Sequence, residues 1–424
     1  MDKINIPTEK HDKTFVNGPI NTFRLEGEIF GIKKVIYIFM DYHADIMNQT
    51  KCGNIKSLDF HEYLVKTFDE LSGKQRNVDF FMEIVPTDLV NHPSIYKNIY
   101  ISEVRQVFSE AFYYDPQKNV VGESNTFPNV RLHYLDVRDY FYFDIHDMFT
   151  SLFQINKLFL DNMDIIHDTM TLISAKVGSF QKELQKSTND KSTNDKSTND
   201  KNKIKNIPTI PKNIEALSKY NDEEIVGKMS EIVYKIKNKY KHPEIKKLIG
   251  QLIDNEILSR IKLFYNKQPD LQKLIDTSKI HLSNHPFHIF DKTSNDMDYG
   301  LPNKIHKSID NDFSDLIAVC DGHIGDAYMM FTDLFFLRRF LDKDYVTNGI
   351  VYTGGYHSAN YIYVLVKHFD FKITNCSTLM PEYTLDKLHG LIKKEKHPID
   401  IRKYIFPEYR IQCSDLSDFP KHFK

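Results

Sequence analysis

The sequence predicts an α/β fold: a mainly parallel central sheet flanked by helices, with a long helical insertion that contains a disordered repeat linker. Three observations predict it. Short continuous apolar runs alternate with helix-period runs at both ends of the chain. In its middle, apolar residues recur at three- and four-residue spacing. A polar repeat then interrupts that middle. In order, Val35-Ile36-Tyr37-Ile38-Phe39-Met40 is the continuous apolar run of a strand buried on both faces. Asp59 to Leu71 reads as a helix with Phe60, Leu64, Phe68 and Leu71 on one side, and Val78 to Met82 as the next strand. Ser102 caps a helix from Glu103 to Phe112, and Arg131 to Leu135 is a third strand. Past the middle, Asp326 to Leu341 is a helix, Gly349 to Thr353 a strand, Ala359 to Phe369 a helix and Phe371 to Ile373 a last strand.

The insertion is read from Met148, Phe149, Leu152, Phe153, Ile155, Leu158, Phe159 and Met163, and beyond the repeat from Ile225, Met229, Ile232, Val233 and Ile236, then Ile245, Leu248, Ile249 and Leu252. Between them Lys186-Ser187-Thr188-Asn189-Asp190 recurs twice more, through Asp200, with nothing to bury, so ordering it costs backbone entropy without return. The division expected is residues 1–147 as the N-terminal part of the α/β domain, 148–300 as the insertion with a linker about 185–208, and 301–424 as the C-terminal part. Lys235, Lys237, Lys239, Lys241, Lys246 and Lys247 make the second half of the insertion basic, read as a solvated helix face.

Composition narrows the function. Of 424 residues 41% are hydrophobic and 27% charged, with a net charge of -2, which excludes collagen-like, mucin-like and wholly disordered chains. The near-neutral balance gives no strong nucleic-acid signal, since backbone binding needs a surplus of Lys and Arg. The polar start and the lack of any run of about 18 apolar residues predict a soluble, non-secreted protein without membrane contact. Cys52, Cys320, Cys376 and Cys413 form no CxxC pair, so neither a disulfide framework nor a thiolate zinc site is signalled, and a reducing compartment is expected.

In open α/β sheets ligands bind beyond the carboxyl ends of the strands. There the sequence sets Asp41-Tyr42-His43-Ala44-Asp45, then Glu83, then Asp136-Val137-Arg138-Asp139, then Gly354-Gly355-Tyr356-His357-Ser358. Four strands thus deliver ionisable groups to one edge. Two histidines and one or two carboxylates form a set that holds a divalent ion with an open position for water, or that does general acid–base work without one. The glycine pair allows a sharp strand-to-helix turn with close backbone approach. Each element also has a plain structural reading: a loop histidine, a Glu83 paired with Arg105 or Arg138, a packing turn.

The order of strand-His (to His43), strand-Glu (to Glu83) and strand-Gly-x-x-His-helix (Gly354, His357) resembles the superfamily of the Tiki/TraB proteases, the erythromycin esterases and the ChaN-like haem-binding proteins. The resemblance covers roughly residues 32–150 and 310–376. It implies a hydrolase attacking an ester or amide, with His43, Glu83 and His357 at its centre and Arg105 or Arg138 assisting. Metal ligands would come from His43, Asp45, Glu83 and His357, and the ion would be manganese, zinc or cobalt. The chain departs from the pattern at Met40, where a Gly is usual, and at Asp326 and Asp333, where an arginine followed by Asn or Asp is usual. Asp41-x-His43-x-Asp45, Phe143-Asp144-Ile145-His146-Asp147 and the Gly-Gly motif also resemble, in altered order, the manganese-binding motifs of arginase-type hydrolases. Cys320-Asp321-Gly322-His323 reads as a turn before the helix at Asp326, from which His323 could reach the site as a lid residue. The alternative to an enzyme is an inactive structural or host-interaction protein on the same fold. The overall look resembles that of uncharacterised giant DNA virus proteins, which implies the host cytoplasm or the virion. A small-molecule or peptide substrate is implied, of no defined identity.

Overall fold

A computed structural model of the chain describes residues 13–73, 76–85, 99–115, 120–138, 143–186, 222–284 and 301–424. The repeat, expected as a linker about 185–208, falls almost wholly outside them, as does Asp139. The fold is mixed α/β. Two compact units divide it: one built from both ends of the chain, through Val137 and from Thr332, the other spanning Arg138–Phe331. The sequence expectation set these divisions at 147/148 and 300/301.

In the first unit, β1 (Phe15–Asn17), β2 (Asn21–Ile29), β3 (Ile32–Asp41), β4 (Leu58–Asp59) and α1 (Phe60–Leu71) come first. Then follow β5 (Val78–Met82), α2 (Ile99–Ala111), β6 (Tyr114–Asp115), β7 (Val120–Val121) and β8 (Val130–Tyr134). The main sheet has six strands, of which the others are β9 (Asn348–Gly354) and β10 (Lys372–Cys376), in the order β10-β2-β3-β9-β5-β8. Four strands, β3, β9, β5 and β8, are parallel, while β2 and β10 join antiparallel at one side. The sheet is therefore mixed, and β2 is a strand the sequence reading did not foresee.

Both faces of the parallel part are covered, which is why its strands are continuously apolar. On one face Phe39 meets Phe60 of α1 at 4.6 Å between ring centroids, and Phe80 meets Phe108 of α2 at 4.9 Å. On the other, Phe81 meets Phe336 at 4.9 Å, and Phe336 meets Tyr361 at 4.4 Å. Burying each such ring contributes roughly 1.5–3 kcal/mol. Asp59 opens α1, its N–H donating to Glu62 Oε2 at 3.1 Å, the reciprocal half of a capping box. The expected cap at Ser102 is displaced, because α2 begins at Ile99 and Ser102 is buried within it.

The second unit is helical: α3 (Phe143–Gln154), α4 (Leu160–Gln185), α5 (Asp222–Asn238), α6 (Pro243–Leu252), a π-helical turn at Ile253–Leu258 and α7 (Ser259–Asn284). Helix α8 (Leu301–Asp342) supplies its residues through Phe331 to this unit and those from Thr332 to the first. The turn expected at Cys320 to His323 does not exist. Those residues lie inside α8, with Cys320 buried on its apolar side, so the helix continues through Asp321-Gly322. Asp326 pairs with Arg260 at 2.6 Å. Part of the lysine-rich face is structural, since Lys237 Nζ donates to the carbonyls of Leu184 and Lys186 at 2.5 and 2.6 Å, closing the C-terminal end of α4.

The C-terminal part adds α9 (Gly355–Phe369), α10 (Leu385–Lys394), α11 (Arg402–Ile405) and β11 (Cys413–Asp415). β11 pairs antiparallel with β1, setting Asn17 opposite Cys413. Asn17 Oδ1 also accepts from the Cys52 N–H at 2.8 Å, so Cys52 arrives beside Cys413 and the two form a disulfide. The sequence signals no disulfide framework, yet this pair forms: its partners are 361 residues apart, a separation no local spacing reveals.

Candidate functional site

Parallel pairing places the carboxyl ends of β3, β9 and β5 side by side, with Asp41 opposite Gly354 and Met82 opposite Tyr352. The residues just beyond therefore converge. His43 has φ 50°, a left-handed conformation costly for a residue with a Cβ, which folds the chain back so that its ring returns to Asp41. Asp41 Oδ2 accepts the His43 N–H at 2.9 Å and lies 2.5 Å from its Nδ1. The other Asp41 oxygen accepts the Tyr352 hydroxyl at 2.9 Å.

His43 Nε2 then faces Glu83 Oε2 at 3.3 Å. Glu83 is almost fully buried, and the same oxygen accepts from the Gly354 N–H at 2.7 Å and the Thr353 hydroxyl at 2.9 Å. Its second oxygen, Oε1, lies 3.9 Å from His357 Nε2. His357 stands in the first turn of α9, and its Nδ1 lies 2.6 Å from Oδ1 of Asp333 on α8. Asn360, one turn further along α9, donates to Asp333 Oδ2. Each histidine thus has an aspartate behind Nδ1 and the shared Glu83 before Nε2.

Both glycines of the strand-to-helix turn are demanded by close approach. A Cβ at Gly354 would sit 2.9 Å from His43 Nε2, and one at Gly355 2.7 Å from the ring of Phe406. Charge follows from the geometry. Burial works against a charged His43 ring, but the Glu83 carboxylate and the hydrogen bonds to Asp41 and Glu83 outweigh it and push its pKa up to about 10. With 42% of the His43 side chain open, solvent screens part of that effect. Burial raises the Asp333 pKa, against the opposing pull of His357 and Asn360. Tyr352, enclosed against Asp41, is held well above the usual phenol range.

Of the residues singled out from sequence, His43, Glu83 and His357 meet, and Asp45 does not join them. It is exposed, and its backbone carbonyl closes the turn at Ile46–Asn48. Arg105 is adjacent, but Nε donates to the main-chain oxygen of Glu83 at 2.8 Å, not to its carboxylate. Arg138 is the first residue of the second unit, and Asp144 and His146 lie within that unit on α3, where Lys176 meets Asp144 at 2.9 Å. Two further residues join the centre that the sequence names without a role beside these histidines: Asp41, first in the Asp41-x-His43-x-Asp45 motif, and Asp333, a departure from the pattern before the last motif.

Imidazole and carboxylate are ligand types that manganese, zinc and cobalt accept. As placed, no group of three or more His, Cys, Asp or Glu among the described residues closes into a metal cage.

Residues 14–424 match the family described as "Family of unknown function (DUF5847)". The chain belongs to this family. Similar to the DUF5847 chain are "Uncharacterized protein R706" of Acanthamoeba polyphaga mimivirus, 36% identical over the whole of both chains, and "Uncharacterized protein R161" of the same virus, 33% identical over 96% of this chain and 98% of that one. "Uncharacterized protein R160" is 27% identical over 96% of this chain and 97% of its own. No solved structure matches the DUF5847 chain. No helix among its described residues is long and apolar enough to cross a membrane.

Proposed function

We propose that the His43–Glu83–His357 cluster is the centre of a hydrolase that attacks an ester or amide carbonyl. The observation that carries this reading is the convergence of two aspartate-backed imidazoles, through Nε2, on one buried carboxylate at the ends of adjacent parallel strands. When both Nδ1 atoms donate to their aspartates, both Nε2 lone pairs face Glu83, and three acceptors cannot stay together without a proton or a cation between them. The proton sits on His43, which therefore serves as general acid toward the leaving group at neutral pH. Glu83, held by Gly354 and Thr353, is the carboxylate that takes a proton from the attacking water, and Asp333 and Asn360 fix the tautomer and direction of His357.

As placed, His43, Glu83 and His357 do not close around a divalent ion; were they drawn together on one, they would hold it in place of the proton, and it would supply a water ionised near neutral pH. The Cys52–Cys413 disulfide supports a virion over the host cytoplasm as the location, because such bonds persist in oxidising surroundings.

The test is a screen of p-nitrophenyl esters and chromogenic amides with and without manganese, zinc or cobalt, using wild type, His43→Ala and His357→Ala. Turnover that falls about 10²–10⁴-fold in either variant is expected. Turnover of no substrate by wild type, with no metal bound in stoichiometric amount, would leave the binding-protein alternative in its place.

A further inference from the structure

We propose that Tyr352 is a positioning residue for the reaction: its hydroxyl anchors Asp41 and its main chain anchors Glu83, so that the His43 ring is aimed from both ends. The proposal rests on the hydrolytic reading and adds a residue to that same site.

Tyr352 belongs to β9, the strand between β3 and β5, and stands opposite Phe39 of β3 and Met82 of β5. Residues two apart on a strand share a face, so Phe39 and Asp41 lie on one side of β3. Phe60 meets the Phe39 ring at 4.6 Å and the Tyr352 ring at 4.2 Å, which puts Tyr352 on that side too. Packed there with no exposed surface, Tyr352 donates its hydroxyl proton to Asp41 Oδ1 at 2.9 Å. Its main-chain oxygen accepts the Glu83 N–H at 3.2 Å. His43 spans the gap between these two carboxylates, with Nδ1 2.5 Å from Asp41 Oδ2 and Nε2 3.3 Å from Glu83 Oε2.

The two oxygens of a carboxylate are equivalent acceptors, and the bond that carries the group turns in a broad, nearly two-fold well. A donor on the oxygen away from the imidazole holds the carboxylate in one orientation and so fixes the direction of the Nδ1–H bond. For Asp41 that donor is Tyr352. The second histidine provides the comparison. Tyr361 stands one turn beyond His357 on α9, buried against Phe336 at 4.4 Å, and its hydroxyl donates to Asp333. Asn360 donates to Asp333 as well, so Tyr361 shares with it what Tyr352 does for Asp41.

The experiment compares Tyr352→Phe and Tyr361→Phe, each of which removes one buried hydroxyl and keeps the ring. In Tyr352→Phe, kcat for the best ester of the screen should fall about tenfold or more, with KM within about twofold of wild type. Imidazole proton NMR at neutral pH gives a reading that needs no turnover. The downfield Nδ1–H resonance of His43 should be lost or shifted upfield in Tyr352→Phe while that of His357 stays, and Tyr361→Phe should leave the His43 resonance in place. A folded Tyr352→Phe with wild-type kcat and an unchanged His43 resonance would overturn the proposal, as would equal loss of that resonance in both variants, which a general loosening of the core produces. If no ester is cleaved, the hydrolytic reading fails separately and the NMR comparison alone decides the positioning. Should Tyr352→Phe not fold, the wild-type protein decides: a slowly exchanging, downfield Tyr352 hydroxyl proton supports the anchor, and a hydroxyl in fast exchange with water refutes it.

Discussion

At the scale of single residues, charge governs the centre. His43 is expected to remain protonated through neutral pH and to titrate near pH 10, because Glu83 and Asp41 favour the imidazolium. Imidazole NMR through a pH series checks this, and Glu83→Gln should bring the midpoint back toward the ordinary histidine value of about 6.5. A folded-state pKa raised in this way stabilises the fold fully below the unfolded value of about 6.5, and the contribution is lost as pH rises through about 10. A second expectation concerns Gly354→Ala. Its Cβ would stand 2.9 Å from His43 Nε2 and 3.6 Å from Glu83 Oε2, so the ring must shift. The variant should fold with a wild-type melting curve while losing up to about 10²-fold in turnover; a fully active variant would show that the ring position does not matter. His43, Glu83 and His357 were legible in the sequence because each follows a recognisable apolar strand. Asp333 was visible only as a departure from a motif, since its partnership with His357 bridges 24 residues and two helices.

At the scale of elements, the strands and helices found from sequence were those buried on a full face. β2 escaped because Phe23 and Leu25 alternate with Arg24 and Glu26, and Arg24 is nonetheless buried, its guanidinium meeting the Tyr37 and Thr374 hydroxyls at 2.9 and 2.7 Å. The Asp-Gly-His run in α8 carries turn residues, yet the surrounding apolar spacing carries the helix through it. The disulfide acts at this scale too. It fastens β11 to the loop that follows His43, beside a reciprocal pair in which the Gln412 N–H donates to Thr50 Oγ1 at 2.7 Å and the Thr50 N–H to Gln412 Oε1 at 3.2 Å. Reduction, or Cys413→Ser, should lower stability by about 2–4 kcal/mol, read as a drop in the thermal midpoint. Identical melts with and without reductant would mean that the bond is not formed in the protein.

At the scale of the molecule, the centre is assembled from both ends of the chain. β3 and β5 are early strands, and β9, which lies between them, comes more than 260 residues later than β5, from Val78–Met82 to Asn348–Gly354. Alternating strand and helix patterns on either side of a helical middle made this interrupted arrangement readable. The antiparallel side of the sheet and the Cys52–Cys413 bond were not, because strand order and cysteine pairing are set by tertiary packing. Whether His43, Glu83 and His357 act as one catalytic unit is read from a double-mutant cycle on Glu83→Gln and His357→Ala, in kcat for the best ester of the screen. Residues that act together are strongly non-additive, so the double variant should be no slower than the worse single one within about threefold. Losses that multiply, or variants as fast as wild type, would show that the three residues do not work as one unit.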